Sequence, residues 1–423
     1  MTAKNLVKMQ GLFAKLLIGV CLVAACSSRQ GGKEEAPGPR LNERITNEMS
    51  DFPELKRMDH AVDSFLQQWL IEGASLAIMR NDSLVYAKGY GYCDKELKRR
   101  MKPGTKLRLA SVSKLITAVG IMRMQEDSLL TLQTPVFGPC GILSDYSFKD
   151  DNYCLITVEH LLRHQGGFSI RGGDPLFQTR AMMSSWGLSK PPTGEQITEN
   201  LLKRKVSFTP GSGQNYSNFG YLLLSQCIEK VSGMPYEEYI QKEVLHKAGC
   251  GDFHIAGNYE KDRLRGESKY YVQPDDEPVP AIDKADSVVR CYGGNDIRAL
   301  SGAGAWVGST IELARLVASI DGRPEVKDIL SEDSIYQMTF RINDEVYPLG
   351  WVDCTEEGQW TRTGSFSGTC ALIRVYPDGE CWIMVTNTSS WRGYRFSKNI
   401  AGLFTKLRAR FSGRLPKQNL FED

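Results

Sequence analysis

Short apolar runs of strand length lie near both ends of the chain, and longer runs with helical spacing fill the middle. "ASLAIMRNDSLVYAKGYG" (74–91) predicts two strands around an Asn81-Asp82 turn, and "TCALIRVYPDGECWIMVTN" (369–387) repeats the pattern around Pro377-Asp378-Gly379. Between them, apolar residues recur at helical spacing in 111–126, 157–165, 217–233, 235–249 and 310–320. Gly233 with Pro235 two residues on, and Gly249, supply helix stops. The stretch 255–303, with "QPDDEPVPAID", is irregular and is expected to rim a cleft. The predicted fold is therefore α+β. The two terminal hairpins join into one antiparallel β-sheet flanked by helices, with a mostly helical lobe inserted within about residues 128–300.

The first residues depart from this pattern. Lys4, Lys8 and Lys15 precede an apolar run, Leu16 to Ala25, shorter than the ~20 residues of a membrane span and matching a secretory signal. It ends in "LVAAC", which resembles a bacterial lipobox and implies a lipid-modified Cys26. The following "SSRQGGKEEAPGPR" is Gly, Pro and charge, as in a flexible tether. The expected organisation is a signal over 1–25, a tether over 26–50, a folded domain over 51–412 and a tail over 413–423. That places the protein in a bacterial cell envelope, anchored to the membrane through its N-terminal lipid.

Charge narrows the partners. With 52 basic and 50 acidic residues the net charge is +2, and no basic stripe interleaved with aromatics predicts a nucleic-acid partner. Lys406, Arg408, Arg410, Arg414 and Lys417 read as a solvated face of a terminal helix. Of eleven cysteines, nine lie beyond Cys26. Cys140 with Cys154 and Cys370 with Cys381 are candidate pairs, and spacing alone does not decide between pairings.

The run "LRLASVSKLITAVGIMR" (107–123) is apolar enough to be buried, yet places Ser111 three positions before Lys114. Three apart on a helix, the two side chains are neighbours. Burial must strip the lysine of its charge or put that charge to use. A serine hydroxyl becomes a nucleophile when a neighbouring base takes its proton, and Lys114 qualifies if its pKa is depressed. Free N–H groups at the helix start can also donate to an oxyanion. "NYSNFG" contributes Tyr216, able to hold or release a proton beside a cation, and Asn218, able to bond both Lys114 and substrate. "WTRTGSFSG" (360–368) contributes Arg362, a candidate clamp for a substrate carboxylate, with Thr363 and with Gly364, where substrate could approach the strand.

These three motifs, Ser111-Val-Ser-Lys114, Tyr216-Ser-Asn218 and Arg362-Thr-Gly364, resemble those of the serine beta-lactamases and penicillin-binding proteins. The likeness is to the class C-like branch, which also contains esterases and D-amino-acid peptidases. Supporting phrases are "VEHLLRHQGGF", "FTPGSGQNYSNFGYLLLSQCIEKVSG", "GAGAWVGSTIELARL" and "YPLGWV". The resemblance covers about residues 55–405. It implies a beta-lactamase/transpeptidase-like fold, acylation of Ser111, proton transfer shared by Lys114 and Tyr216, and positioning by Asn218. It also implies an oxyanion hole from the backbone N–H groups of Ser111 and Ser365. Relatives usually carry Lys or His where this chain has Arg362, which keeps the charge but carries no proton.

The expectation is a serine hydrolase, without metal or cofactor, acting on a small amide, ester or D-amino-acid-containing peptide, peptidoglycan fragments among them. The rivals are a receptor that is acylated without turnover and a scaffold that uses the fold for contacts alone. His160 and His164 stand four apart, but HLLRH lacks the glutamate of a zincin, so the pair is expected to order the turn after it. No GxSxG occurs, which argues against a nucleophile-elbow hydrolase.

Overall fold

The two terminal hairpins meet at the middle of one sheet. In the computed structural model, which describes residues 40–343 and 345–422, the strands are β1 (Gly73–Arg80), β2 (Ser83–Asp94), β3 (Arg99–Arg100), β4 (Asp353–Cys354), β5 (Trp360–Phe366), β6 (Thr369–Val375) and β7 (Glu380–Thr386). They form a seven-stranded antiparallel sheet in the order β3-β2-β1-β7-β6-β5-β4. First and last hairpins pair directly, with Leu76 opposite Met384 and Ala77 opposite Ile383. Asn81 and Asp82 both have positive φ (45° and 58°), the double left-handed turn that matches the twist of a two-residue hairpin.

Alternation along these strands splits the core in two. One face presents Leu76, Ile78, Leu372, Trp382 and Met384 to α1 (Lys56–Gln68) and a C-terminal helix. The other presents Ala77, Met79, Ile373, Ile383 and Val385 to the larger core around α2 (Ser113–Glu126), α3 (Asn218–Ser232) and α4 (Thr310–Ala318). The C-terminal helix, α5 (Phe396–Phe411), lays Phe396, Ile400, Phe404 and Leu407 on the first face. The sheet is thus covered by helices on both sides, as the pattern predicts.

Several boundaries differ from the sequence reading. The expected signal segment, the lipidation residue Cys26 and the first part of the tether lie outside the described residues. The rest of that tether is folded: Leu41–Arg44 is helical, Asn47–Ser50 is a 3-10 turn, and Ile45 is buried. Side chains hidden in a Gly- and Pro-poor stretch explain it. Asn42 donates to Asp252 and Glu312, and Asn47 Oδ1 accepts from the Gly89 N–H. Of the expected tail over 413–423, residues 413–422 are also docked, because Leu415 and Leu420 are buried and the Leu420 N–H donates to the Leu84 carbonyl.

Cys370 and Cys381 cannot pair, since they belong to opposite faces of the sheet. Cys140 and Cys154 are free thiols, both exposed. The helical reading of 235–249 shortens to Tyr236–Ile240 followed by a π-helical turn, Gln241–Leu245. Beyond that point the only helical pieces of the inserted lobe are the 3-10 turns Glu260–Asp262 and Arg298–Leu300. Among the described residues no helix is long and apolar enough to cross a membrane.

Leu420→Ala is expected to cost ~2–3 kcal/mol of unfolding free energy, as for other buried leucines, whereas Lys417→Ala at an exposed position stays within about 0.5 kcal/mol. Chemical denaturation of the two variants measures both.

Candidate active site

The turn that carries Ser111 is held by its surroundings. Ala110–Val112 form a 3-10 turn leading into α2, and Ala110 sits at φ +47°, a conformation costing an L-residue about 1 kcal/mol. Strand β5 presses against this turn so closely that a Cβ at Gly364 would stand 2.3 Å from the Leu109 carbonyl oxygen and 3.2 Å from the Ser111 nitrogen. Only glycine fits there, which explains the third residue of the Arg362-Thr-Gly motif. Ser113, adjacent to Lys114, does unrelated work: it is buried and accepts a hydrogen bond from the Trp306 N–H at 3.1 Å.

Lys114 is fully buried beneath Ser111. Its Nζ donates to Asn218 Oδ1 at 2.6 Å, to the Ala303 carbonyl at 2.7 Å and to Ser111 Oγ at 3.3 Å. Burial pushes the amine's pKa down, Tyr216 pulls it up, and the Arg362 charge pushes it down again. In its charged form the amine can give one proton to each of these three partners.

Tyr216 stands where those positive charges act. Burial alone would raise its phenol, but Lys114, Arg362 and hydrogen bonds from Ser111 and Lys114 outweigh that, leaving a pKa of about 8. A phenol that ionises near neutrality beside a serine hydroxyl can accept its proton.

Arg362 is not a free clamp. It is 1% exposed, and its Nε donates to the Ser111 carbonyl at 2.8 Å while one terminal nitrogen bonds the same oxygen. That nitrogen also lies 3.3 Å from the Tyr216 hydroxyl. The side chain expected to meet a substrate carboxylate is instead bound to the nucleophile's own backbone and to the phenol. The sequence offered the charge at this position but not its direction, which the alternation along β5 sets: Thr361, Thr363 and Ser365 point one way, Arg362 and Gly364 the other.

Two further residues complete the arrangement. Asp174 accepts from the Asn218 N–H at 3.2 Å and from Asn218 Nδ2 at 3.0 Å, which turns the amide oxygen toward Lys114. Its other oxygen caps a short turn at Leu176, so the Gly-Gly-Asp-Pro signature at 172–175 was the available but unread signal. His164 is buried, and its Nδ1 accepts from the Ser217 N–H at 3.2 Å. Burial, Lys114 and Arg362 hold its pKa well below the usual histidine value, so a neutral ring packs 4.3 Å from Tyr216. His160 turns to the Thr157 N–H instead, and the two rings share no site. Neither Asp174 nor Ala303 was singled out from the sequence.

Ser111, Tyr216 and Asn218 open onto a cleft of about 930 Å³ that Thr363 and Ser365 also line, with Gly364 behind them. Its walls come from Ile170–Phe177, Tyr347–Asp353 and the start of α5. The stretch 255–303, expected as a rim, supplies none of the lining. It packs instead around Arg108, which donates to the Cys291 and Gly257 carbonyls, and it reaches the site only through Ala303.

The profile of the family described as Beta-lactamase matches residues 58–405. This chain belongs to that family and is a beta-lactamase-family serine hydrolase. A penicillin-binding protein of Bacillus subtilis (strain 168) is 25% identical over 342 residues, covering 76% of this chain and 69% of that protein. Esterase EstB of Burkholderia gladioli is 27% identical over 201 residues, 46% of this chain and 50% of its own length. Among solved structures, the D-amino acid amidase from Ochrobactrum anthropi SV3 superposes with a TM-score of 0.67 at 18% identity, covering 86% of this chain and 99% of that one.

Arg362→Gln is expected to slow acylation of Ser111 by neutral and carboxylate-bearing esters to a similar degree, about tenfold or more, because it removes a charge from Tyr216 rather than from a substrate clamp. Rates of adduct formation measured by intact mass compare the two.

Proposed function

We propose that the protein hydrolyses a small amide, ester or D-amino-acid-containing peptide through an acyl-enzyme on Ser111. The observation that carries this reading is the convergence of Lys114 and Tyr216 on one half-buried hydroxyl at the floor of a cleft, with Arg362 held between the Ser111 carbonyl and the Tyr216 hydroxyl. Ser111 Oγ attacks the substrate carbonyl carbon while its proton passes to the Tyr216 oxygen, poised as phenolate by Lys114 and Arg362. The backbone N–H groups of Ser111 and Ser365 are assigned to the oxyanion of the tetrahedral intermediate. Collapse expels the leaving group, which takes the proton from Tyr216, and leaves an ester on Ser111. Water then repeats the sequence and frees the acid.

Asn218, whose Nδ2 is held by Asp174, keeps Lys114 oriented through its Oδ1. The cleft's aromatic and aliphatic mouth, with Ile170, Phe177 and Tyr394 all exposed, suits substrates with an apolar group beside the scissile bond. The names of the relatives, an esterase, a D-amino acid amidase and a penicillin-binding protein, support this range of acyl donors. Peptidoglycan-derived peptides fall within it. The lipobox-like "LVAAC" supports a lipid anchor at Cys26 and a position in the bacterial cell envelope.

The test is a time course of intact mass with an activated ester and, separately, a penicillin, beside Ser111→Ala. The expected result with the ester is an adduct that forms, decays and yields product, and is absent from Ser111→Ala. A stable adduct from both reagents would identify a receptor that is acylated without turnover. No adduct from either would leave the fold as a scaffold.

A further inference from the structure

The loop that leads into α5 presents its side chains to water. Residues 391–395, Trp-Arg-Gly-Tyr-Arg, are exposed one after another, with Trp391 at 57% and Tyr394 at 72%. Trp391 is nevertheless held in place. Its ring lies 5.3 Å from that of Trp69, which in turn packs 5.2 Å from the buried Phe396 at the start of α5. Leu70, next to Trp69, is also more than half exposed. Single exposed apolar residues are ordinary, but a grouped and rooted set marks a surface that another body covers.

Charge indicates what that body is. Residues 389–398 include Arg392, Arg395 and Lys398 and no acidic residue. No ion pair among the described residues engages these three; Arg395 meets its neighbour Tyr394, with Nε 3.3 Å from the hydroxyl and the guanidinium over the ring. The facing wall of the cleft repeats the pattern, because 166–173 holds exposed Ile170 and Arg171, again without an acidic residue. The acidic run Asp275–Glu277, just beyond Gln273 and its bond to the Ser389 carbonyl, bounds this basic face on one side, and Asp276 within it is paired with Arg290. Indole and phenol rings settle at the headgroup level of a bilayer, and arginine and lysine beside them meet anionic headgroups. Arg40, where the described chain begins, is 14 residues from Cys26, at most ~50 Å at full extension. The lipid anchor proposed above would hold the domain within that distance of a bilayer.

We propose that the two walls of the cleft mouth form a membrane-docking surface, in which Trp391, Tyr394 and Ile170 enter the headgroup region of an anionic phospholipid bilayer while Arg392, Arg395 and Arg171 meet its phosphates. The cleft then opens at the bilayer surface. This inference goes beyond the acyl-enzyme reading and stands on the exposed surface alone, so it survives or fails whatever Ser111 does.

Both hydrophobic cores lie between Ile45 and Leu420, so the chain from Arg40 to Asp423 carries the whole fold without the anchor and is the protein to test. It is sedimented with vesicles of equal parts phosphatidylglycerol and phosphatidylcholine, and with vesicles of phosphatidylcholine alone. The expected result is binding about tenfold tighter or more to the anionic vesicles, weakened by added salt. Arg392→Glu, a change at an exposed position, is expected to lower that affinity about tenfold or more, at ~fivefold for each charge altered near the surface. Phospholipids brominated near the headgroup end of the acyl chain should quench part of the tryptophan emission, and Trp391→Phe should lose that part. No binding to anionic vesicles at low salt, equal binding to both kinds, or an affinity that Arg392→Glu leaves within about twofold would overturn the surface. Quenching that persists in full in Trp391→Phe would overturn it too. Self-association without vesicles, abolished in Trp391→Ala, would assign the patch to a second copy of the chain and overturn the proposal likewise.

Discussion

An ammonium group held out of water beneath the nucleophile is the constraint on which the rest of the site depends. Moving such a charge from water into a protein interior costs several kcal/mol unless partners replace its hydration. For Lys114 these partners come from three places: Ser111 in the preceding turn, Asn218 at the start of α3, and the Ala303 carbonyl. The helices converge at this point because each contributes one acceptor to a charge none could neutralise alone. Arg362 adds a second cation to the same dry region, which taken alone would worsen the balance. Ionised Tyr216 relieves it, and so the acidity of that phenol follows from the burial of the two cations.

The remaining features hold this charge cluster in register with the substrate. Left-handed Ala110 and the missing side chain at Gly364 let the strand and the nucleophile turn approach within contact distance. Asp174 fixes the orientation of Asn218, and a neutral His164 supports the Tyr216 ring without adding a third charge. The seven-stranded sheet, built on the pairing of the two terminal hairpins, supplies the rigid floor from which β5 reaches the site. Its two faces thus have different tasks: one positions the nucleophile, and the other, under α5, shapes the far end of the cleft.

Much of this was legible in the sequence because it rests on local pattern. The hairpins were readable from alternation and turn residues, α2 and α3 from helical spacing, and the site from three short motifs that the fold brings together. What was not legible depends on direction and long-range contact. Arg362 could be read as a charge near the substrate, but not as a donor to the Ser111 carbonyl, since one residue of register decides which face it takes. Asp174 lies in a loop whose approach to Asn218 no periodicity encodes. The docking of residues 40–50 and 413–422 escaped notice because polar-rich termini carry few apolar signals: Ile45 in the first, Leu415 and Leu420 in the second.

The central claim is that two buried cations make Tyr216 an acid strong enough to exchange a proton with Ser111. The most direct measurement is a tyrosinate absorbance titration of the wild-type protein against Tyr216→Phe. Burial pushes the pKa of other tyrosines near the site upward, Tyr221 and Tyr347 among them, so a low-pH phase stands apart. The account predicts one tyrosine ionising near pH 8, absent from Tyr216→Phe. A titration in which the two proteins differ only above the ordinary tyrosine value of about 10 would contradict it.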